Sequence, residues 1–136
     1  SAASTQQGTM LDYAAVAKGL LAWSVASNQP RFGAVAAAIV DEAWQLFYKE
    51  MTWHEASDSL LPNAVAQSHI ADTPITSPET LLLEASEQLG GEIMHQRIRR
   101  VISTSNRSIN VDPYGYASLI AFSLTTKVNH SQSPAL

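Results

Sequence analysis

The chain of 136 residues has no cysteine. That excludes disulfides, thiolate metal sites and cysteine nucleophiles, and it fits a reducing compartment. No run approaches 18 apolar residues, so no membrane-spanning helix is expected. The opening residues SAASTQQGTM have neither a basic n-region nor an apolar h-region, so they do not read as a signal peptide. Asn106-Arg107-Ser108 and Asn129-His130-Ser131 match the glycosylation triplet, but without a secretion signal they read as chance. Charge is scarce: 15% Asp, Glu, Lys and Arg, against about 25% in ordinary globular domains. With a net charge of -4 and a pI near 5.4, nothing points to a general nucleic-acid binder. Neither a G-x-x-x-x-G-K-[ST] phosphate loop nor an H-E-x-x-H metal helix occurs.

What is present is one domain's worth of chain, 46% hydrophobic. Its longest periodic stretch is residues 31–50, RFGAVAAAIVDEAWQLFYKE. Phe32, Ala36, Ile39, Ala43 and Leu46/Phe47 recur at steps of three and four, which places them on one helical face. A second apolar row, Gly33, Ala37, Val40, Trp44 and Tyr48, runs beside it. The polar strip of Asp41, Gln45 and Lys49 is narrow. A surface helix carries one apolar stripe of about 100° or a little more. Two rows imply either a helix sunk in its own core or one wedged between its own domain and a partner. Gly33, Ala37 and Ala38 are small enough for another helix to approach closely.

Ahead of this helix, Ser27-Asn28-Gln29-Pro30 is a start signal: a capping side chain, then a proline with no amide to waste. Residues 9–25 allow a helix, favoured by their alanines, or two strands turning at Lys18-Gly19. Residues 51–78 read as a long surface insert, with one short helix near 63–70. Ser77-Pro78-Glu79 and Gly90-Gly91 bracket a helix over 79–89, although Thr80 to Leu83 would also suit a buried strand. From Glu92 to Ile98 the residues alternate, and Arg99 to Thr104 adds β-branched side chains, so both read as strand. Residues 105–113 read as turn. Asp112 and Pro113 would then cap and open a last helix over 114–128. The termini, 1–7 and 129–136, are expected to be disordered.

Several strings resemble the roadblock (dynein light-chain) family, in particular Ragulator subunits. They are Leu20-Leu21-Ala22-Trp23-Ser24; Ala36-Ala37-Ala38-Ile39 with Trp44 and Tyr48; Gly91 to Ile98; and Pro113-Tyr114-Gly115 before Leu119 to Leu124. The resemblance implies an α+β fold, an antiparallel sheet with a long central helix in the order strand-strand-helix-strand-strand-strand-helix. An all-α bundle is the alternative. The resemblance further implies a non-catalytic adaptor that pairs with another roadblock protein and anchors small GTPases of the Rag type. Such an adaptor is cytoplasmic, held at a lysosome, late endosome or vacuole only through partners. Gly33, Ala37, Val40, Trp44 and Tyr48 would face the partner helix. The all-α alternative implies a small structural, effector or immunity protein of phage or bacterial type.

Few residues suggest chemistry of their own. His54-Glu55 with Asp58 is the nearest approach to a metal site, but it lacks a second histidine at ligand spacing. Asp41 and Glu42 are adjacent, so they diverge by about 100° on a helix and cannot work as a pair. An enzyme would have to use His54, Glu55 or His95, with no nucleophile and base in evident pairing. Arg97, Arg99, Arg100 and Arg107 are the one basic cluster. The first three are candidates for an acidic partner or phosphate, set against a solvated face. Tyr13, Trp23 and Trp53 read as core more readily than as a ligand box. No cofactor, metal or nucleic acid is expected.

Overall fold

The computed structural model describes residues 8–54 and 69–131. It holds six helices and one two-stranded hairpin: α1 (Met10–Ser27), α2 (Pro30–Phe47), β1 (Tyr48–Lys49), β2 (Thr52–Trp53), α3 (Pro78–Leu89), α4 (Glu92–Thr104), α5 (Asn106–Val111) and α6 (Ala117–Ser131). The expected α+β roadblock sheet is overturned. Among the described residues the only sheet is β1 paired with β2, and the all-α alternative fits. None of the described helices is long and apolar enough to cross a membrane.

The N-terminal segment resolves to a helix because local chemistry agrees with alanine propensity. Thr9 Oγ accepts from the Asp12 amide at 3.3 Å, and the Asp12 carboxylate accepts from the Thr9 amide at 2.8 Å, a capping box. The same backbone bond, with the Thr9 hydroxyl, holds the Asp12 carboxyl below its ordinary range. Lys18-Gly19 is therefore helix interior rather than a turn. Asn28 ends α1 at φ 54°, the left-handed conformation asparagine tolerates, and Pro30 opens α2 as the sequence implies. The helices return antiparallel and close together. A Cβ on Gly33 would meet Ser24 Oγ at 3.2 Å.

α2 stops at Phe47, three residues short of the expected end. The chain then folds back through Glu50 and Met51, both at positive φ (53° and 63°), the geometry of a two-residue hairpin turn. Tyr48 pairs with Trp53 and Lys49 with Thr52, which drops the Trp53 ring onto Trp44 and Tyr48, centroids 5.1 and 4.5 Å apart.

α3 is the hub: it packs on α1, α2, α4 and α6. Ser77 caps it through the Thr80 amide, and Pro78 is its first residue. Its fully buried Leu82, Leu83 and Ala85 meet Ala14 and Ala17 of α1, Val40 and Ala43 of α2, Ile98 and Val101 of α4, and Leu119 of α6 in one core. The strands expected over 80–83 and 92–104 are corrected to helix. In α4 the row that matters is Met94, Ile98 and Val101, at helical spacing. The apparent alternation relied on Ile93, which is 67% exposed. Gly90 and Gly91, at φ 70° and 92°, let the chain turn sharply between α3 and α4. The expected turn at 105–113 contains α5.

The last helix begins at Ala117, not Pro113. Asp112 instead accepts from the Gly115 amide at 3.0 Å, two residues before the helix. A Cβ on Gly115 would run into that carboxylate. Gly115→Ala is therefore expected to lose one hydrogen bond's worth of stability, about 1 kcal/mol. In an Asp112→Ala background the same change should cost almost nothing, which a urea-melt double-mutant cycle reads directly.

Candidate functional site

Two features stand out: a closed polar network behind α3 and an open apolar face on the α1–α2 hairpin. The network is built on α3's own periodicity. Glu79, Leu82/Leu83 and Ser86 fall on one face, so the fold carries Glu79 into the core at 0% exposure. There its Oε1 lies 2.8 Å from Nδ1 of His69, and its Oε2 accepts from the Ile70 amide at 2.6 Å. The other ring nitrogen of His69 lies 3.0 Å from Thr104 Oγ in α4, whose own hydroxyl proton goes to the Val101 carbonyl. Both ring nitrogens thus face acceptors, the arrangement that suits the doubly protonated ring. Burial pulls the His69 pKa down. Glu79, by hydrogen bond and by charge, and the contact with Thr104 more than offset this and raise it.

Asp72 works beside it. Its Oδ2 accepts from the Ser118 amide at 2.8 Å and its Oδ1 from the Ser77 amide at 2.9 Å, and the Ser118 hydroxyl makes a further short bond to it. Burial alone would raise the Asp72 pKa, but these three donors lower it. Asp72 thereby caps α6 from 46 residues away, the role the sequence suggests for Asp112. Together the two carboxylates pin residues 69–77, part of the expected insert, to α3, α4 and α6. His69 and Glu79 side chains are 1% and 0% exposed, so this arrangement braces the fold rather than meeting a substrate.

Two clefts flank α6. One, of about 480 Å³, is lined by Glu84, Glu87, Ser118, Phe122 and Thr126. The other, of about 490 Å³, is lined by Ile98, Ile102, Arg99 and Lys127 among others. Among the described residues no three His, Asp or Glu gather to hold a metal ion. Glu55 and Asp58 of the metal candidate, and most of the expected 63–70 helix, lie outside the described residues. His54 sits 3.4 Å from the Thr52 hydroxyl.

The expected partner row is largely absorbed by the chain itself. Val40 is fully buried and Trp44 is 3% exposed, with its indole N–H donating to Ser86 Oγ at 2.9 Å. Tyr48 is half-buried against Trp53, Gly33 packs on Ser24, and Ala37 is half-buried. The three arginines of α4 do not converge. Arg97 pairs with Asp41 at 2.9 Å and lies over the Trp44 ring, Arg99 pairs with Glu92 at 2.9 Å, and Arg100 is exposed. Of the suspected aromatic box, Trp53 is core, Tyr13 is half-buried on Phe47 and Trp23 is outside, so the three do not form a pocket.

Exposed apolar side chains are found elsewhere, several of them singly (Ile75, Ile93, Val111, Tyr114 and Leu124) and a group together on the α1–α2 hairpin. α3 covers the side of α1 that carries Met10, Ala14, Ala17 and Leu21. On another side of α1, Val16 and Trp23 are 52% and 56% exposed, with half-buried Leu20 between them. Across the hairpin, Val35 is 50% exposed, and Phe32 and Ile39 are half-buried. Asp12, Tyr13, Val16, Ile39 and Glu42 line one shallow concavity, so Val16 and Ile39 meet on one side, and helical spacing carries the rest of each row along that side. The sequence does contain this signal, since 16, 20, 23 and 32, 35, 39 are helical spacings, but it was hidden behind the richer row through Trp44. Comparison with protein-family models, with curated proteins and with solved structures gives no match.

Proposed function

We propose that this chain is a non-catalytic helical interaction module and that the exposed side of its α1–α2 hairpin is the surface it docks with. The observation that carries the reading is the pair of neighbouring apolar rows, Val16-Leu20-Trp23 and Phe32-Val35-Ile39, which lie side by side on the hairpin with Val16, Trp23 and Val35 half or more exposed. A contiguous apolar patch of that kind marks a site of association, and the tryptophan that ends its α1 row is the residue type that most often anchors one. The partner-binding part of the roadblock expectation survives as this proposal. Its GTPase-scaffold part stood on a sheet that the described residues do not form.

Trp23 supplies both the test and the probe. It is the exposed one of three tryptophans, since Trp44 and Trp53 are 3% and 1% exposed. Acrylamide should quench Trp23 alone, and a docked partner should protect it. Trp23→Glu should leave stability within about 0.5 kcal/mol of wild type, as exposed substitutions usually do. Used as bait with the full chain, Trp23→Glu should lose proteins that wild type retains. If both baits hold the same set, the hairpin face is not the docking surface.

A further inference from the structure

We infer that the occupant of this face is a second copy of the same chain, packed antiparallel across a two-fold axis. The inference rests on the docking reading above and adds the partner's identity. It comes from how charge is distributed along the hairpin. At the open end, Asp12 and Glu42 border the apolar rows, with the Tyr13 hydroxyl donating to Glu42 at 3.4 Å. At the closed end, Arg31 borders them, its guanidinium 4.8 Å from the centre of the Phe32 ring. The Gly33–Ser24 approach and the Tyr13–Glu42 bond fix the antiparallel register of the two helices. The surface is therefore apolar in the middle, acidic at one end and basic at the other.

Such a surface is complementary to itself when one copy is turned end for end. A two-fold axis through its centre places Trp23 and Val16 of one copy against the apolar middle of the other, and Arg31 of each copy against Glu42 of the other. Isologous pairing of this kind is the commonest closed assembly. A parallel arrangement would set like charges together at both ends, which opposes it. The dimensions suffice for a modest interface. Helices of 18 residues are about 27 Å long, and a pair with axes roughly 9 Å apart is about 20 Å wide. Two such faces remove roughly 1,000 Å² or somewhat more, the lower limit for specific association.

The test is sedimentation equilibrium of the full chain from roughly 1 µM to 1 mM, the range in which an interface of this size would dissociate. The mass should rise from 14.7 kDa toward about twice that value. Trp23→Glu should weaken pairing by at least about 100-fold, as loss of an aromatic anchor does. Arg31→Glu and Glu42→Lys should each weaken it about 5- to 10-fold, and the double reversal should restore it to within about 3-fold of wild type. Positions 31 and 42 are about 16 Å apart along one helix, so rescue cannot arise within a single chain. Circular dichroism and melting curves matching wild type in dilute solution, where the chain is monomeric, would show that each variant is folded. A constant 14.7 kDa, a dimer indifferent to Trp23→Glu, or absence of rescue in the double variant would each overturn the antiparallel pair. If the chain stays monomeric while the Trp23→Glu bait still loses captured proteins, the second copy is excluded and the docking face stands. If neither changes, both fall.

Discussion

Glu79→Ala should lower the free energy of unfolding by about 3–5 kcal/mol, the cost of removing one partner from a buried charged pair. The carboxylate is fully enclosed and accepts at both oxygens, from His69 at 2.8 Å and from the Ile70 amide at 2.6 Å. Alanine leaves the ring of His69 and a backbone amide facing an apolar void, each without the acceptor it was desolvated to meet. The loss is a large fraction of the roughly 5–15 kcal/mol by which domains are ordinarily stable. It should appear as a fall in Tm on the order of 15 °C. A Glu79→Ala/His69→Ala cycle should show strong coupling, because once either is gone the other has little left to lose. A loss under about 1 kcal/mol would mean that residues 69–77 are not held by this pair.

The pair also sets a pH dependence whose sign can be reversed. The folded-state pKa of His69 is raised above its ordinary value of about 6.5. Its contribution to stability is therefore fully present below that value and lost as the pH rises through the folded-state pKa. Tyr48 is coupled by charge to Glu79 and to Arg100. Burial raises the Tyr48 pKa, Arg100 opposes this and Glu79 adds to it. In Glu79→Gln the amide can turn its oxygen to the Ile70 N–H and its NH2 to Nδ1 of His69, which then accepts. That arrangement requires a neutral ring, so burial now governs and depresses the pKa. Stability of the variant should fall as the pH drops through the unfolded value, the opposite slope to wild type. Urea midpoints measured from pH 5 to pH 8, a span that brackets the ordinary histidine value, distinguish the two directly.

Why this network was hidden in the sequence is a matter of distance along the chain. α2 was legible because its period is local, and so were Pro30 and Ser77-Pro78, whose start signals act over three or four residues. His69 meets Glu79 ten residues on and Thr104 thirty-five residues on, and Asp72 reaches Ser118 across 46. Neither periodicity nor capping grammar records such separations. One local clue was present: extending the Leu82/Leu83 face of α3 back by one turn lands on Glu79, an acid on an apolar stripe. α4 misled for a related reason. Ile93 supplied an alternation of period two over a few residues, while the packing that decided the matter, Ile98 and Val101 against α3, is tertiary. The roadblock-like strings failed in the same way. Small residues followed by Trp44 and Tyr48 specify a tightly packed helix, and many folds contain one.

Trp44→Ala and Trp23→Ala should then differ by several kcal/mol, although the sequence gives both residues the same chemistry. Trp44 is 3% exposed and touches Tyr48 edge-on, with centroids 5.4 Å apart, and Trp53 at 5.1 Å. Truncating it removes a buried aromatic and opens a cavity that a helix interior cannot close, costing about 3–5 kcal/mol. The aromatic pairs add to that. Trp44→Phe isolates the polar part. It removes the N–H donated to Ser86, but Ser86 keeps its own bond to the Leu82 carbonyl at 2.7 Å, so no buried group is left without a partner. The loss should be nearer 1–2 kcal/mol, the range of a smaller aromatic in the same site. Trp44→Arg would place an unpaired cation in the core beside Arg97, whose guanidinium lies 5.7 Å from the indole centroid, and should not fold. Trp23→Ala, more than half exposed, should stay within about 0.5 kcal/mol of wild type in dilute solution. Urea melts of the four variants decide the point. The wide apolar arc of α2 is closed by α3 and the β1–β2 hairpin of the same chain if Trp44 carries the large loss. It is not if Trp44→Ala melts with wild type.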